Sequence, residues 1–172
     1  MAATALTITL GRPIARYTVG TQARALSAMR GRGEASWEVL VLVMAAGINF
    51  NGVWACRGKP VSVFKMHKEP FHIAGSDASG IVERVGPGVT RWKPGDEVVI
   101  HCNQSCGECP ECNGLDPMAC SNQKIWAYET NWGSFAEYCL VQSQQLLRKP
   151  GRLTWEEAAV NAAVLEEFPE AI

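Results

Sequence analysis

The feature that most constrains this chain is a group of four cysteines in one short segment. Cys106, Cys109, Cys112 and Cys120 follow the spacing C-x2-C-x2-C-x7-C. Four thiolates can surround one zinc ion tetrahedrally, with Zn–S distances of about 2.3 Å, and two-residue gaps suit a tight loop. Four protein ligands leave no coordination position for water or substrate. The sequence therefore predicts a structural Zn²⁺ site rather than a catalytic one.

The other cysteines and the histidines are expected to lie outside this site. The chain has seven cysteines, and an odd number without a secretory signal argues against a disulfide framework. We expect Cys102 to lie outside the metal shell, and Cys56 and Cys139 to be small core residues. The three histidines have no partner at metal-site spacing, so surface or core positions are expected for them (His67, His72 and His101).

The remaining pattern is that of a mainly β chain. Short strands separated by glycine- and proline-containing turns indicate a β-barrel or sandwich. The predicted strands are Ala5–Leu10, Glu38–Ala45, Ile81–Val85, Glu97–His101, Ser134–Val141 and Leu146–Arg148. A strand covered on both faces is expected at Glu38–Ala45, and a loop at Gly47–Gly52. Thr154 and Glu157 form a predicted capping box for a helix that runs to about Glu167.

Composition and charge exclude several classes of protein. Apolar residues make up 47% of the 172 residues, and the net charge is −1, so neither wholesale disorder nor dedicated nucleic-acid binding is expected. The longest apolar run, Val39–Ile48, is too short to cross a membrane. Residues 1–33 carry five arginines and no acidic residue. A cytoplasmic protein is expected, with an arginine-rich transit peptide and the mitochondrial matrix as the alternative.

Several segments in collinear order resemble the medium-chain dehydrogenase/reductase superfamily. Besides the cysteine cluster they are Glu38–Val41 with Ala46–Asn49, Gly75–Asp77 with Gly80–Val82, Val85–Gly86 with Lys93–Val98, and Gly133–Tyr138. The resemblance implies a mainly β catalytic domain of GroES-like fold at residues 36–153. That fold is a partly open β-barrel with a protruding zinc lobe at residues 102–120 and a C-terminal helix. Residues 1–35 would form an N-terminal arm, and residues 154–172 the helix that begins an interdomain connection.

Three positions depart from the zinc alcohol dehydrogenases of this superfamily. Those enzymes have a cysteine after the Gly-Ile of the first loop and a His-Glu pair after the glycine of the second block. This chain has Asn49, Ser76 and Asp77 there. Because amide and hydroxyl groups are poor zinc ligands, no catalytic zinc is expected. The departure favours the zinc-independent quinone and enoyl reductases.

Finer segments resemble the crotonyl-CoA carboxylase/reductases. They are Asn49–Trp54, Phe71–Asp77, His101–Gln104, Asp116–Met118 and Ile125–Thr130. The resemblance implies that Asn49 or Asn51, with Tyr128 and Glu129, shape a pocket where carbon dioxide meets a reduced enoyl thioester. An amide can donate to a carbon dioxide oxygen, and a carboxylate can order a neighbouring donor or water. The alternative is that the two asparagines cap a turn and the Tyr-Glu pair is a wall and a surface residue.

A reductase of this family takes hydride from NADPH, which a Rossmann domain binds. The nearest match to its G-x-G-x-x-G motif is Gly86-Pro87-Gly88, where Arg91 occupies the third glycine position. NADPH is therefore implied, but its binding domain is absent, and we expect a truncated chain that is inactive alone. The expected partners are an acyl-CoA substrate and a separate nucleotide-binding subunit, with a homo-oligomer as a further expectation from the exposed apolar face.

Two other functions stay open at this point. The first is a truncated domain of a zinc-containing alcohol or quinone dehydrogenase, which Asn49 and Ser76 disfavour in its alcohol branch. The second is a non-catalytic, zinc-stabilised β-barrel that binds partners. A downstream Rossmann-coding region would favour an enzyme domain over the binding module.

Overall fold

The computed structural model describes residues 37–68 and 72–160, and this part of the chain is mainly β, as predicted. The strands are β1 (Glu38–Gly47), β2 (Asp77–Val85), β3 (Glu97–Ile100), β4 (Asn103–Gln104), β5 (Lys124–Ile125), β6 (Tyr138–Gln142) and β7 (Leu146–Arg148). The helices are α1 (Phe50–Arg57), α2 (Val63–His67) and α3 (Trp155–Val160), with 3-10 turns at Pro117–Ala119 and Ser143–Gln145. The predicted strand Ala5–Leu10 lies outside the described residues.

The main sheet is curled into a partly open barrel. Its five antiparallel strands follow the order β6-β1-β2-β3-β7, so β6 and β7 lie at opposite ends. In a flat sheet these two strands would be four spacings, or about 19 Å, apart. Only the 3-10 turn Ser143–Gln145 joins them, and the four steps from Gln142 to Leu146 can span at most about 14 Å. The sheet must therefore bend round, and two register irregularities in β1 assist that bend.

The core lies inside this barrel and is centred on β1. This strand pairs with both β2 and β6, and the side chains of Val39, Leu40 and Val41 are fully buried. Trp126, from the segment after β5, is also fully buried and packs in one hydrophobic cluster with Val39 and Val41. Each such side chain contributes about 1.5–3 kcal/mol through burial. The expectation of a strand covered on both faces is confirmed for β1.

The predicted capping box is confirmed at the start of α3. Thr154 Oγ1 accepts from the Glu157 N–H at 3.2 Å, and Glu157 Oε2 accepts from the Thr154 N–H at 2.9 Å. The helix buries Ala158 and Ala159, and Ser79 Oγ of β2 donates to its Trp155 carbonyl at 2.6 Å. Its predicted continuation to Glu167 lies outside the described residues.

Two local predictions are wrong. The loop predicted at Gly47–Gly52 is wrong in its extent, because β1 ends at Gly47, α1 begins at Phe50, and only residues 48 and 49 lie between them. The strand predicted at Ser134–Val141 begins only at Tyr138. The N–H groups of Ser134 and Phe135 donate instead to the carbonyls of residues 75 and 74, at 2.8 and 2.9 Å. In both places tertiary contacts outweigh the local pattern.

Candidate metal centre and active site

The four cysteines of the predicted cluster converge on one point. All four sulfur atoms lie within 4.8 Å of one another, and the Sγ–Sγ distances from Cys112 are 3.8 Å to Cys106 and 3.4 Å to Cys109. Tetrahedral coordination with Zn–S bonds of about 2.3 Å separates two sulfurs by about 3.8 Å. The arrangement therefore fits a tetrahedral thiolate site for zinc, with each of the four positions supplied by protein.

The backbone of the cysteine lobe (residues 102–124) directs these side chains inward. Gly107 and Gly114 have φ angles of +77° and +123°, which side-chain-bearing residues rarely adopt. The Cys112 N–H donates to the Cys109 carbonyl at 3.1 Å and closes a tight turn. Asp116 then caps the 3-10 turn Pro117–Ala119, accepting from the Met118 N–H at 2.9 Å. This turn delivers Cys120 to the other three.

The electrostatics of the lobe favour thiolate at two of the four positions, Cys106 and Cys112. At Cys112 burial raises the pKa, but hydrogen bonds, that of the Ser105 side chain first, outweigh it and lower the pKa. Hydrogen bonds from the backbone N–H groups of Glu108 and Cys109 lower the pKa of the Cys106 thiol to about 6. The neighbouring Glu111 carboxylate acts in the opposite direction and raises the pKa of Cys109. Zinc requires the deprotonated form of each ligand, so its binding would displace the Cys109 proton.

The three remaining cysteines have different outcomes. Cys102 is not part of the converging group, as expected. Cys139 is buried in the core, which confirms its prediction. Cys56 is exposed, so its prediction as a core residue is wrong. It lies on α1, where the buried position is taken by the preceding Ala55.

A second group of polar residues lies where β1 meets α1. Asn49 is the N-cap of α1, and its Oδ1 accepts from the Gly52 N–H at 3.1 Å. Its Nδ2 donates both hydrogens, to Ser76 Oγ and to Asp77 Oδ2, each at 2.7 Å. Every polar atom of the Asn49 side chain is thus engaged in tying α1 to β2.

Asp77 is the charged member of this group. Burial raises the pKa of Asp77, while the Asn49 hydrogen bond and the charge of His101 oppose that rise. Ser76 is 2% exposed, so the group lies largely away from solvent. An amide, a hydroxyl and a single carboxyl make a poor donor set for Zn²⁺.

Asn51, the other candidate amide, lies in the first turn of α1 and is half-buried. Among the described residues its side chain has no hydrogen-bond partner. Both N–H groups and the carbonyl of its amide are thus available to a ligand. The structure separates the two asparagines, since Asn49 is fully bonded and Asn51 is not.

Tyr128 and Glu129 use their polar atoms to hold the backbone. The Tyr128 hydroxyl donates to the Lys59 carbonyl at 2.7 Å, and the buried ring packs against Ala55 of α1 and Val63 of α2. Glu129 Oε2 accepts from the Ile125 N–H at 2.7 Å. Tyr128 therefore joins the segment after β5 to the two short helices that follow Asn49, whereas the Glu129 bond is local and closes back on β5.

A family model for the alcohol dehydrogenase GroES-like domain matches residues 35–151. The chain belongs to this family. It is 66% identical over 124 residues to a crotonyl-CoA carboxylase/reductase of Cereibacter sphaeroides, a match that covers 72% of this chain and 29% of the relative. It is 46% identical over 140 residues to a crotonyl-CoA reductase of Streptomyces collinus, covering 74% of this chain and 31% of that one.

Solved structures agree with this assignment. The 2-octenoyl-CoA carboxylase reductase CinF, solved with NADP and 2-octenoyl-CoA, superposes with a TM-score of 0.69 at 45% identity, and covers 74% of this chain and 31% of that one. The GroES-like domain thus spans about 30% of the length of its relatives. Between residues 37 and 160, leaving out 69–71, no helix is long and apolar enough to cross a bilayer.

Sequence reasoning missed one pairing in this GroES-like domain. His67 Nε2 lies 3.2 Å from His72 Nδ1, although the two residues were expected to have no metal-site partner. Their spacing of five fits no helical period, and α2 already ends at His67. No pattern in the sequence signals this contact.

Proposed function

We propose that this chain is the catalytic-domain portion of an NADPH-dependent enoyl-CoA reductase/carboxylase that acts on a crotonyl-CoA-like thioester. The names of its relatives and 66% identity to one of them support this class. The observation that carries the proposal is the double donation from Asn49 to Ser76 and Asp77. An alcohol dehydrogenase would need zinc ligands at these positions, and their polar atoms are instead bonded to one another.

The asparagines have different roles in this proposal. Asn51 would donate its free amide hydrogens to carbon dioxide or to a thioester oxygen. Asn49 would position Asn51 by fixing the first turn of α1. Tyr128 and Glu129 would shape the wall of the pocket, because their polar atoms are bonded to the backbone.

The four cysteines would hold a structural zinc ion. Its chemical contribution would be to cross-link the lobe, and no step of the reaction would pass through it. Metal analysis of the purified chain should give about one equivalent of zinc, and a C109S variant much less. A wild-type content below about half an equivalent would contradict the assignment.

The hydride donor would be bound outside these residues. Gly86–Gly88, the nearest match to a nucleotide loop, forms a β-turn after β2 with no helix behind it. We propose that NADPH is held by another part of the whole protein or by a separate nucleotide-binding subunit. A partner of either kind would cover the exposed rings of Phe50 and Trp54, which lie 6.2 Å apart on α1.

Two assays test this reading of the reaction. The chain alone, given NADPH and crotonyl-CoA with or without bicarbonate, should show no turnover, and turnover would contradict the proposal that the site is incomplete. A partner that co-purifies should restore crotonyl-CoA-dependent NADPH oxidation and leave a simple primary alcohol unoxidised. Alcohol oxidation without enoyl-CoA reduction would favour the alcohol dehydrogenase alternative.

Asn51 can be examined in the chain alone. Its side-chain amide resonance should shift when crotonyl-CoA is added, whereas that of Asn49 should move less because its bonds are already made. The N51A variant should weaken crotonyl-CoA binding. An unchanged affinity in N51A would remove Asn51 from the proposed pocket. The domain boundaries and the cytoplasmic location expected from the sequence stay predictions.

A further inference from the structure

We propose that His67 and His72 form a second metal site, which takes a divalent transition ion such as Zn²⁺ or Ni²⁺ independently of the cysteine cluster. The observation is the 3.2 Å separation between His67 Nε2 and His72 Nδ1. With Zn–N bonds of about 2.0–2.1 Å, two histidine nitrogens on one tetrahedral ion lie about 3.3–3.4 Å apart. The observed separation is close to that value, so a chelate needs only a small adjustment.

The relative orientation of the rings also suits a shared ion. The two ring planes are parallel, with an interplanar angle of 0° and centroids 5.3 Å apart. Rings stacked face to face at that centroid distance would hold their nitrogens much farther apart than 3.2 Å. The imidazoles therefore lie nearly edge to edge. Because a metal ion binds in the plane of an imidazole, edge-to-edge rings can direct two lone pairs at one ion.

Both rings are held by the surrounding structure. His67 is the last residue of α2, which ends at Lys68 in a left-handed conformation with φ of +60°. His72 precedes Ile73, whose backbone is bonded to residues 131 and 133. Phe64 contacts both imidazoles edge-on, with centroid distances of 5.9 and 6.4 Å. The two ligands are thus brought together before any ion binds, which lowers the entropic cost of chelation.

The protonation of the pair suits metal binding near neutral pH. Burial, with a smaller effect from the His67 charge, lowers the pKa of His72 against an opposing backbone hydrogen bond at Ala127, which favours the neutral ring that can offer a lone pair. Without metal, the two nitrogens share one hydrogen in an N–H···N bond. When an ion binds, that hydrogen moves to the other nitrogen of the same ring, and no net proton is lost. Water or a small anion completes the coordination, so binding should be reversible.

The test uses the chain with its cysteine cluster already loaded with zinc, and with ¹⁵N-labelled histidines. Long-range ¹H–¹⁵N correlation spectra follow the ring nitrogens while further Zn²⁺ is added. We expect saturable shifts of His67 Nε2 and His72 Nδ1, with His101 as the unshifted internal reference. Retention on a Ni²⁺ column, reversed by imidazole, gives a second readout that does not depend on activity.

Variants separate chelation from a structural contact. H67Q and H72Q should each abolish the saturable shift and the Ni²⁺ retention, whereas M66A, which changes the exposed neighbour on α2, should keep both. Thermal unfolding of each variant verifies that the fold is retained. The proposal is overturned if neither ring shifts, if only one ring shifts, or if H67Q binds Zn²⁺ as tightly as the unsubstituted chain. The site is independent of the proposed reductase function, so the two can fail separately.

Discussion

The cysteine lobe and the barrel are ordered by different forces. Strands β1, β3 and β6 bury several apolar side chains completely, including Leu40, Val98 and Val99. Between residues 102 and 124, all of which the structure describes, Cys120 is the one buried residue. The barrel has enough apolar burial to fold through the hydrophobic effect, and the lobe does not. A single chain thus combines a conventional core with a segment that buries too little apolar surface to order itself, and the proposed zinc ion would supply the missing cross-link.

Removing the metal should have the largest effect, and it should be confined to the lobe. Structural zinc in small domains contributes about 10–16 kcal/mol of apparent binding free energy. Chelation, or the C109S variant, should abolish hydrogen-exchange protection of residues 103–124 and leave β1 and β2 protected. Equal loss of protection in both regions would show that the barrel also depends on the ion.

Truncating a buried leucine should have the converse effect. Leu40 is 0% exposed in the barrel, and Leu115 is 70% exposed in the lobe. L40A should lower the free energy of unfolding of the barrel by about 2–5 kcal/mol without changing zinc content. The matched L115A variant should change it by less than about 0.5 kcal/mol. Denaturant unfolding measures both, and similar losses would contradict the contrast between the regions.

A smaller effect is expected where the lobe meets the barrel. Gly107 has a φ of +77°, and a Cβ there would lie 2.8 Å from Gln144 Oε1, whose amide Nε2 donates to the Ser105 carbonyl at 2.8 Å. A G107A variant should destabilise the folded turn of the lobe by about 1–2 kcal/mol, because L-residues are strained in this conformation. Competition with a chelator should therefore show zinc binding weakened about tenfold. An unchanged zinc affinity in G107A would mean that the turn adjusts freely. The control is G151A, where an added Cβ meets open space.

The smallest effect should appear at the polar group of Asn49, Ser76 and Asp77, where β1 meets α1. The Asn49 hydrogen bond opposes the burial that raises the pKa of Asp77, so N49A should raise that pKa further. A raised carboxyl pKa favours the folded state at low pH, and this stability is lost as the pH rises through the folded pKa. In N49A the loss should therefore occur at higher pH. A ¹³C titration of the Asp77 carboxyl measures this pKa. The control variant N51A should leave the Asp77 pKa unchanged. A lower Asp77 pKa in N49A would contradict the proposed bonding.

The sequence predicted most of the barrel because its signals are local. β7 was predicted with its observed bounds, and the capping box at Thr154 has both of its reciprocal hydrogen bonds. The start of α1 was missed because Asn49 serves as a helix cap only when the chain leaves β1 at Gly47. Cys56 was misassigned because the sequence does not show which side of α1 faces Tyr128.

For the candidate site, the sequence could name residue types but not their partners. The spacing of the cysteines selected four sulfurs that the fold brings within 4.8 Å, since a short loop limits where its ligands can lie. Only the tertiary structure separated the bonded Asn49 from Asn51, which has no side-chain partner among the described residues, and paired His67 with His72. The Asn49 bonds depend on the pairing of β2 with β1, and the histidine contact follows no helix or strand period. Local spacing thus determined the candidate metal ligands, and tertiary contacts decided which polar groups are left for a ligand.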